Sequence, residues 1–227
     1  MKKFFNNLFT LFVPNECPLC HASLVQGENT LCLVCQSKLP RVGGEKTDNG
    51  ATDRLFGKFP FVHGTSFCYY RSGSEFASLI VGAKYKDRPW INKNLAFLFA
   101  TELASSGWPF DIDLIIPVPI HSFRKIIRGY NQSEPIAVAL SKAWNLHTDT
   151  YSLRKITYTR SQVSHTAQER LDSMEGTFSL RHPERFFGKH VLLVDDVLTT
   201  GATLQACAQL LIEAGARVSF LTLGLSE

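Results

Sequence analysis

Long apolar runs are missing from this 227-residue sequence: no window approaches the ~20 residues that a membrane-spanning helix needs. There is no internal repeat and no low-complexity tract, so repeat arrays and flexible linker proteins are excluded. Charge is sparse as well. Only 19% of residues are charged and the net charge is +4, too little to mark a nucleic-acid binder by itself. Two phosphate-binding signatures are absent, the GxGxxG fingerprint and the lysine-bearing GxxxxGK[ST] loop. The seven histidines suggest no Cys/His or Ser/His/Asp constellation. What the sequence does have is enough apolar material, 44% of residues, for a fold of this length to bury roughly 70% of its unfolded surface. Intrinsic disorder and a disulfide-stapled miniprotein are therefore excluded.

Met1-Lys2-Lys3 followed by Phe4 to Val13 places a charged end before an apolar stretch, as a secretory signal would. Asn6-Asn7 interrupts the stretch, no small-residue cleavage site follows, and Pro14 closes it. The expectation is a short helix with Phe4, Leu8, Leu11 and Phe12 on one face, in a soluble, cytoplasmic protein.

Four of the six cysteines form two CxxC pairs, Cys17–Cys20 and Cys32–Cys35, with eleven residues between them. Each CxxC turn brings two thiolates to one side, and two such turns complete a tetrahedral sulfur cage for zinc. The metal's binding energy would then fold a segment too short for its own core, and four protein ligands would leave no open position for catalysis. Two disulfides or a redox CxxC are the alternatives, and nothing in the sequence points to secretion. Cys68 and Cys207 sit in apolar contexts and read as buried core thiols.

The expected organisation is an N-terminal helix and four-cysteine zinc module over 1–45, a linker over 46–62 and a main domain over 63–227. Gly43-Gly44 and Asp48-Asn49-Gly50 mark the linker. In the main domain, Thr65–Tyr70 and Asp113–Val118 read as strands, Phe76, Leu79, Ile80 and Ala83 as one face of a helix ending near Lys84-Tyr85-Lys86, and Ile91–Ala104 as a second helix. A further helix is entered through Ser133-Glu134-Pro135, with Ser able to cap and Pro suited to a first turn. Val191–Val194 reads as a strand covered on both faces, followed by a helix over Leu204–Leu211, a stop at Gly215 and a strand over Arg217–Leu223. Strand, helix, strand is a parallel crossover, so the fold class is α/β with a parallel sheet.

Positive charge is concentrated. Between His121 and Arg170, eight Lys and Arg face three Asp and Glu, a local +5 that leaves −1 for the rest. An anionic ligand is one reading and a solvated basic surface is the other. After the buried strand comes Asp195-Asp196-Val197-Leu198-Thr199-Thr200-Gly201-Ala202-Thr203. In open parallel sheets ligands bind outside the carboxyl ends of the strands. Two carboxylates there suit ribose hydroxyls and magnesium, and the small-residue turn offers hydroxyls and helix N-terminal N–H groups to a phosphate.

The stretch Val191–Thr203 resembles the phosphoribosyl-pyrophosphate (PRPP) motif of type I phosphoribosyltransferases. With the cysteine module ahead of it, the chain resembles the competence protein F (ComF/GntX) family, which joins a small zinc finger to a phosphoribosyltransferase-like domain. The resemblance spans nearly the whole chain and is weakest from about Arg41 to Val62. It implies that Asp195 and Asp196 contact the ribose hydroxyls, directly or through Mg2+, as catalytic groups with Arg128. It also implies that Thr199, Thr200, Gly201, Ala202 and Thr203 bind the 5′-phosphate, and that Pro117, Arg124 and Arg128 face the pyrophosphate. Arg154, Thr159, Gln162 and Arg170 follow the pattern of a mobile hood loop, and Lys84 with Tyr85 that of a lysine-tyrosine pair before the active-site strand. Plainer readings stay open: Arg128 as a helix-end or ion-pair residue, Lys84 as a solvated helix-end lysine, and Tyr130 and Trp144 as core aromatics.

The implied activity is transfer of ribose 5-phosphate from PRPP to an unidentified acceptor with release of pyrophosphate, in DNA uptake or nucleotide metabolism, with structural Zn2+ and with Mg2+ accompanying PRPP. The alternative is a non-catalytic DNA-uptake accessory protein that contacts single-stranded DNA or DNA-uptake proteins and takes PRPP as a regulatory ligand. A regulator that senses PRPP without turnover is a third reading.

Overall fold

The aliphatic run at Val191–Val194 lies in the middle of the sheet, as its lack of any polar face requires. The computed structural model describes residues 16–43, 49–83, 88–105, 111–157 and 176–227. The expected N-terminal helix, Lys84, Tyr85, Thr159, Gln162 and Arg170 lie outside them. The chain divides into two compact units, Met1–Pro40 and Arg41–Glu227.

The second unit holds a five-stranded sheet in the order β1-β7-β6-β2-β3, every pairing parallel. Its strands are β1 (Gly64–Tyr70), β2 (Leu114–Pro117), β3 (His147–Thr148), β6 (His190–Leu198) and β7 (Arg217–Ser226). β4 (Leu153–Lys155) and β5 (Phe178–Leu180) form a separate antiparallel ribbon. The helices of this unit are α2 (Gly50–Leu55), α3 (Glu75–Gly82), α4 (Pro89–Ser105), α5 (Ser122–Arg128), α6 (Ser133–Trp144) and α7 (Ala202–Glu213), and α1 (Leu33–Ser37) belongs to the first unit. The core is apolar on both faces of β6; α7 lays Leu204, Cys207, Ala208 and Leu211 into it beside Val191, Leu193 and Phe220. Gly215, at φ +84°, turns the chain from α7 into β7 as a stop glycine should.

Three differences from the sequence reading matter for the site. The stretch expected as a linker over 46–62 contains α2 instead. Its cap residue Asn49 accepts from the N–H groups of Ala51 and Thr52 and donates to Gly64 O at 2.9 Å, and Ala51, Leu55 and Phe59 are core residues. Gly and charge marked a break in pattern there, but the apolar residues between them are spaced to pack. Second, β6 does not stop at Val194. It runs through Asp195 and Asp196 to Leu198 because β7 is long enough to pair with it, Asp195 against Thr222 and Leu198 against Leu225. Third, Ser133 does not cap α6. The cap residue is Gln132, without a side-chain bond, and the Ser133 hydroxyl is directed elsewhere.

The amino end of the sheet carries a polar chain with a buried centre and exposed carboxylates. His63 N–H donates to Ser219 Oγ at 3.1 Å, and Ser219 Oγ lies 2.8 Å from His190 Nε2. His190 Nδ1 lies 3.1 Å from Asp111 Oδ1 and 3.2 Å from Asp111 O. Asp113 Oδ2 accepts the His190 N–H at 2.8 Å. Ser, His and Asp do meet here, contrary to the sequence expectation, in positions so far apart in the chain that no local spacing announces them. Ser219 and His190 are fully buried, so the set closes the fold rather than presenting a nucleophile.

Candidate functional site

At the carboxyl end of β6 the burial relaxes. His190 to Val194 are buried, and Asp195, Asp196 and Val197 are half-buried. Successive residues of a strand face opposite sides, which divides the surroundings of the two carboxylates. Asp195 Oδ1 accepts from Ser133 Oγ at 2.9 Å, and its charge acts on Lys155 of the ribbon. The charge of Asp196 acts on Tyr130, whose hydroxyl is pushed up by burial first and by that carboxylate second. Two carboxylates supply the hard oxygen donors that magnesium takes.

The turn after β6 is made by Thr199, Thr200 and Gly201, and Gly201 is the N-cap of α7 with φ +81°. Only glycine tolerates both features found there: the left-handed backbone, and a Cβ position 2.1 Å from Leu55 Cδ2. Having no side chain, Gly201 caps nothing, so the first N–H groups of α7 lack side-chain caps apart from a long 3.5 Å contact between Ala202 N–H and Thr200 Oγ1. N–H groups without side-chain caps and the positive end of a twelve-residue helix lie in a segment that carries three threonines, the chemistry that an anionic phosphate needs.

Behind this turn stand two residues that the sequence reading did not single out. Arg54 donates to Thr199 O at 2.8 Å and to Ser226 O at 2.7 Å, and Lys58 donates to Thr200 O. Burial, and then the neighbouring Arg54 charge, hold the Lys58 ammonium below its ordinary value. The partners are 145 and 142 positions apart in sequence, and the only local hint was two basic residues at helical spacing inside an expected linker.

On the other side of Asp195, β2 ends at Pro117. Val118 N–H donates to Val194 O at 2.8 Å, and the buried Asn131 side chain donates to Val118 O at 2.9 Å, fixing the strand exit. α5 follows, capped by His121 Nδ1, which accepts from Phe123 N–H at 3.2 Å, and closed by the left-handed Gly129. It buries none of its residues. Arg124 stands close enough to Lys155 that, after burial, its charge is the second cause depressing that lysine. Lys155 also lies 5.1 Å from the centre of the Phe178 ring. A cleft of about 600 Å³ opens here, lined among others by Pro117, His121, Lys125, Arg154 and Lys155. Lys125 is neutralised locally by Glu134 at 2.6 Å.

The described candidates thus gather along the carboxyl edge: Pro117 and Arg154 at the cleft with Lys155, Arg124 near that lysine, Arg128 near Tyr130, and Asp195, Asp196 and Thr199–Thr203 around the end of β6. Ser133, Lys155, Arg54 and Lys58 join them. A second recess, of about 620 Å³, is lined by Pro89, Gly129, Tyr130, Glu134, Pro135 and Val138. The Tyr130 hydroxyl is buried without a hydrogen-bond partner among the described residues.

In the first unit the Sγ atoms of Cys17, Cys20, Cys32 and Cys35 all lie within 4.8 Å of one another. A tetrahedron of ~2.3 Å zinc–sulfur bonds has edges of about 3.8 Å, so the four thiols fit such an ion. Cys20 and Cys32 are 3.6 Å apart. Burial opposes ionisation of Cys17, yet the backbone N–H groups of Cys20, Cys32 and Leu19 bring its thiol down to about 6. Cys32 caps α1 through its sulfur, accepting from Cys35 N–H at 3.4 Å, and His21 takes a left-handed turn at φ 59° rather than acting as a ligand.

Residues 126–223 match the family model of the phosphoribosyl transferase domain. Competence protein F of Haemophilus influenzae is 32% identical over 141 residues, covering 60% of this chain and 62% of that protein, so the match spans less than two thirds of that relative. DNA utilization protein YhgH of Escherichia coli K12 is 28% identical over 218 residues, covering 91% of this chain and 94% of that protein. The Bacillus subtilis glutamine PRPP amidotransferase structure is 22% identical with a TM-score of 0.42, covering 63% of this chain and 29% of that one.

Proposed function

We propose that the chain belongs to the competence protein F family and that, through its phosphoribosyltransferase-type α/β domain, it binds PRPP at the carboxyl end of β6 and transfers ribose 5-phosphate to an acceptor, releasing pyrophosphate. The observation that carries the reading is the continuity of Asp195 and Asp196 with an uncapped helix N-terminus. Carboxylates suited to a diol and N–H groups suited to a phosphate follow one another within a few residues at the same end of the strand.

In this reading the 5′-phosphate seats on Thr199–Thr203 and the ribose hydroxyls face Asp195 and Asp196, which would also hold Mg2+. The ion supplies charge neutralisation for the pyrophosphate. Ser133 orients Asp195 through its hydroxyl, and Arg124, Arg128, Arg154 and Lys155 bring cations to the departing group. The bond from the anomeric carbon to pyrophosphate breaks with its electron pair leaving on oxygen. The acceptor's lone pair forms the new bond, and the acceptor gives up a proton. Positive charge builds on the ribose in between, so leaving-group neutralisation and exclusion of water dominate the barrier. Hood residues Thr159, Gln162 and Arg170, and Lys84, are assigned by family pattern alone. The proposed site of action is the cytoplasm. No helix among the described residues is long and apolar enough to cross a membrane.

Zinc fills the four-cysteine cluster in this proposal, as a structural ion with no open position. Chelation should unfold the first unit, seen as loss of amide dispersion in its NMR signals, and leave PRPP affinity within about twofold. For the main claim, calorimetry should show Mg2+-dependent PRPP binding, followed by a screen for pyrophosphate release over nucleobases, amines and nucleic acids. Absence of PRPP binding would remove the proposal, and binding without release under any acceptor would reduce the protein to a PRPP sensor.

One observation favours the DNA-uptake reading. α5 exposes Phe123, Ile126 and Ile127 next to Arg124 and Arg128, a mixture of apolar and cationic groups suited to stacked, phosphate-linked bases. Binding of single-stranded DNA should weaken steeply with salt, and a flat salt dependence would end that reading.

A further inference from the structure

A phosphate-binding turn works only if its N–H groups point at the ligand, and a peptide whose N–H points one way directs its carbonyl the other way. The carbonyls of Thr199 and Thr200 are both taken up from behind, by Arg54 and Lys58 respectively. We propose that these two residues are positioning residues for phosphate capture: a cationic clamp, supplied by the α2 segment, that sets the aim of the Thr199–Gly201 turn. This inference rests on the reading above that the turn receives the 5′-phosphate of PRPP.

The clamp is rigid where it needs to be. α2 is fastened at its start by the Asn49 capping box and the Asn49 bond to Gly64 O. It is fastened along its length by the buried Ala51 and Leu55. Leu55 occupies the space where a side chain on Gly201 would stand, so the turn is moulded against this helix. Arg54 ties the turn to the end of β7 by holding Ser226 O with its second nitrogen. The turn lies inside the phosphoribosyltransferase-type residues 126–223, whereas Arg54, Lys58 and the helix that positions them lie outside that stretch.

Two effects reach the ligand. A cation on a peptide oxygen polarises the peptide and strengthens its N–H as a donor, here the N–H groups of Thr200 and Gly201. The two charges also add to the potential at a phosphate dianion, acting through the turn rather than by direct contact as the lysine of a nucleoside-triphosphatase loop does. The turn has no lysine, and Lys58 brings one to its rear face from 142 positions away.

The test uses the full chain with Mg2+ and three probes: PRPP, ribose 5-phosphate and inorganic pyrophosphate. Ribose 5-phosphate shares the clamp's target with PRPP, and pyrophosphate does not. Arg54→Met and Lys58→Met should each weaken PRPP and ribose 5-phosphate by about tenfold, the scale of one hydrogen bond to a charged group. Pyrophosphate affinity should stay within about twofold. Lys58→Arg and Arg54→Lys should restore most of the loss, and they keep the inference testable if a methionine variant is unstable. Wild-type binding of PRPP with undiminished ribose 5-phosphate affinity in both variants would overturn the clamp alone, as would equal loss for all three probes. No PRPP binding by wild type would overturn the clamp together with the proposed function.

Discussion

Aspartate and serine belong to a polar group at each end of β6, in very different company. At the amino end, Asp111, His190, Ser219 and the His63 N–H form a relay in which each group engages the next, and its two central side chains are fully buried. At the carboxyl end, Asp195 takes one hydroxyl from Ser133, Asp196 lies beyond the buried part of the strand, and the next helix begins uncapped. The difference shows that residue type does not mark a site. A polar group sealed in the interior with its partners stabilises the fold, whereas Asp195 and Asp196, which also have partners in Ser133 and in the N–H groups of Asp196 and Val197, stay half-buried at the strand's carboxyl edge, where ligands of parallel sheets bind. The cations follow the same division. Lys189 and Arg217 pair with Asp113 and Asp111 at the amino end, at 3.5 and 3.2 Å. Arg54 and Lys58 at the other end hold carbonyls.

If this division is real, changes at the two ends should separate binding from stability. The largest effect is expected from Asp195→Asn, which keeps an acceptor for Ser133 Oγ but removes the charge: PRPP affinity measured by calorimetry should fall about a hundredfold, with the unfolding midpoint little changed. An equal loss of stability would show that the carboxyl end is structural too. Gly201→Ala should do both kinds of damage, since it forces φ +81° on a residue with a Cβ and drives that Cβ into Leu55. Denaturant unfolding should register about 1–3 kcal/mol for the strained backbone, and phosphate affinity should drop with it. Ser219→Ala at the amino end leaves the His63 N–H and His190 Nε2 without their partner and should cost about 2 kcal/mol, with PRPP affinity unaltered. A change in affinity there would break the comparison.

The smallest expected effect concerns pH. The His190 N–H first, and the Lys189 charge with it, hold the Asp113 carboxyl below its ordinary value, burial notwithstanding. A depressed folded pKa means that this contribution is complete above the unfolded carboxylate value of ~3.9 and is lost as pH falls through the folded one. Asp113→Asn should therefore reduce stability at neutral pH and flatten the acid limb of a stability profile, while Asp195→Asn leaves the amino-end contribution in place. An acid limb of unchanged slope in Asp113→Asn would sink the assignment.

Much of this was legible because it is local. The spacing of the four N-terminal cysteines suits one ion, the aliphatic run of β6 follows from burial on both faces, and the Thr199–Thr203 turn follows from backbone chemistry within a few residues. What escaped notice depends on distant partners. The extent of β6 is set by the length of β7, which carried Asp195 and Asp196 onto the strand. Ser133 looked like a cap because Ser before Glu-Pro often is one, and its true partner lies 62 positions away. The α2 segment looked like a linker because Gly and Asn mark breaks, although here Asn49 starts a helix and Leu55 faces the core.

The helix α5, which buries nothing, has a consequence for motion. Its seven residues are held by an imidazole at one end, a glycine turn at the other and a surface ion pair from Lys125 to Glu134, and none of them is buried. A segment of this kind can melt and re-form without disturbing the strands beneath it, so its amides should exchange with deuterium long before those of β6. Arg124 and Arg128 share the fate of that helix, so an arriving polyanion that engages them should slow the exchange of its amides.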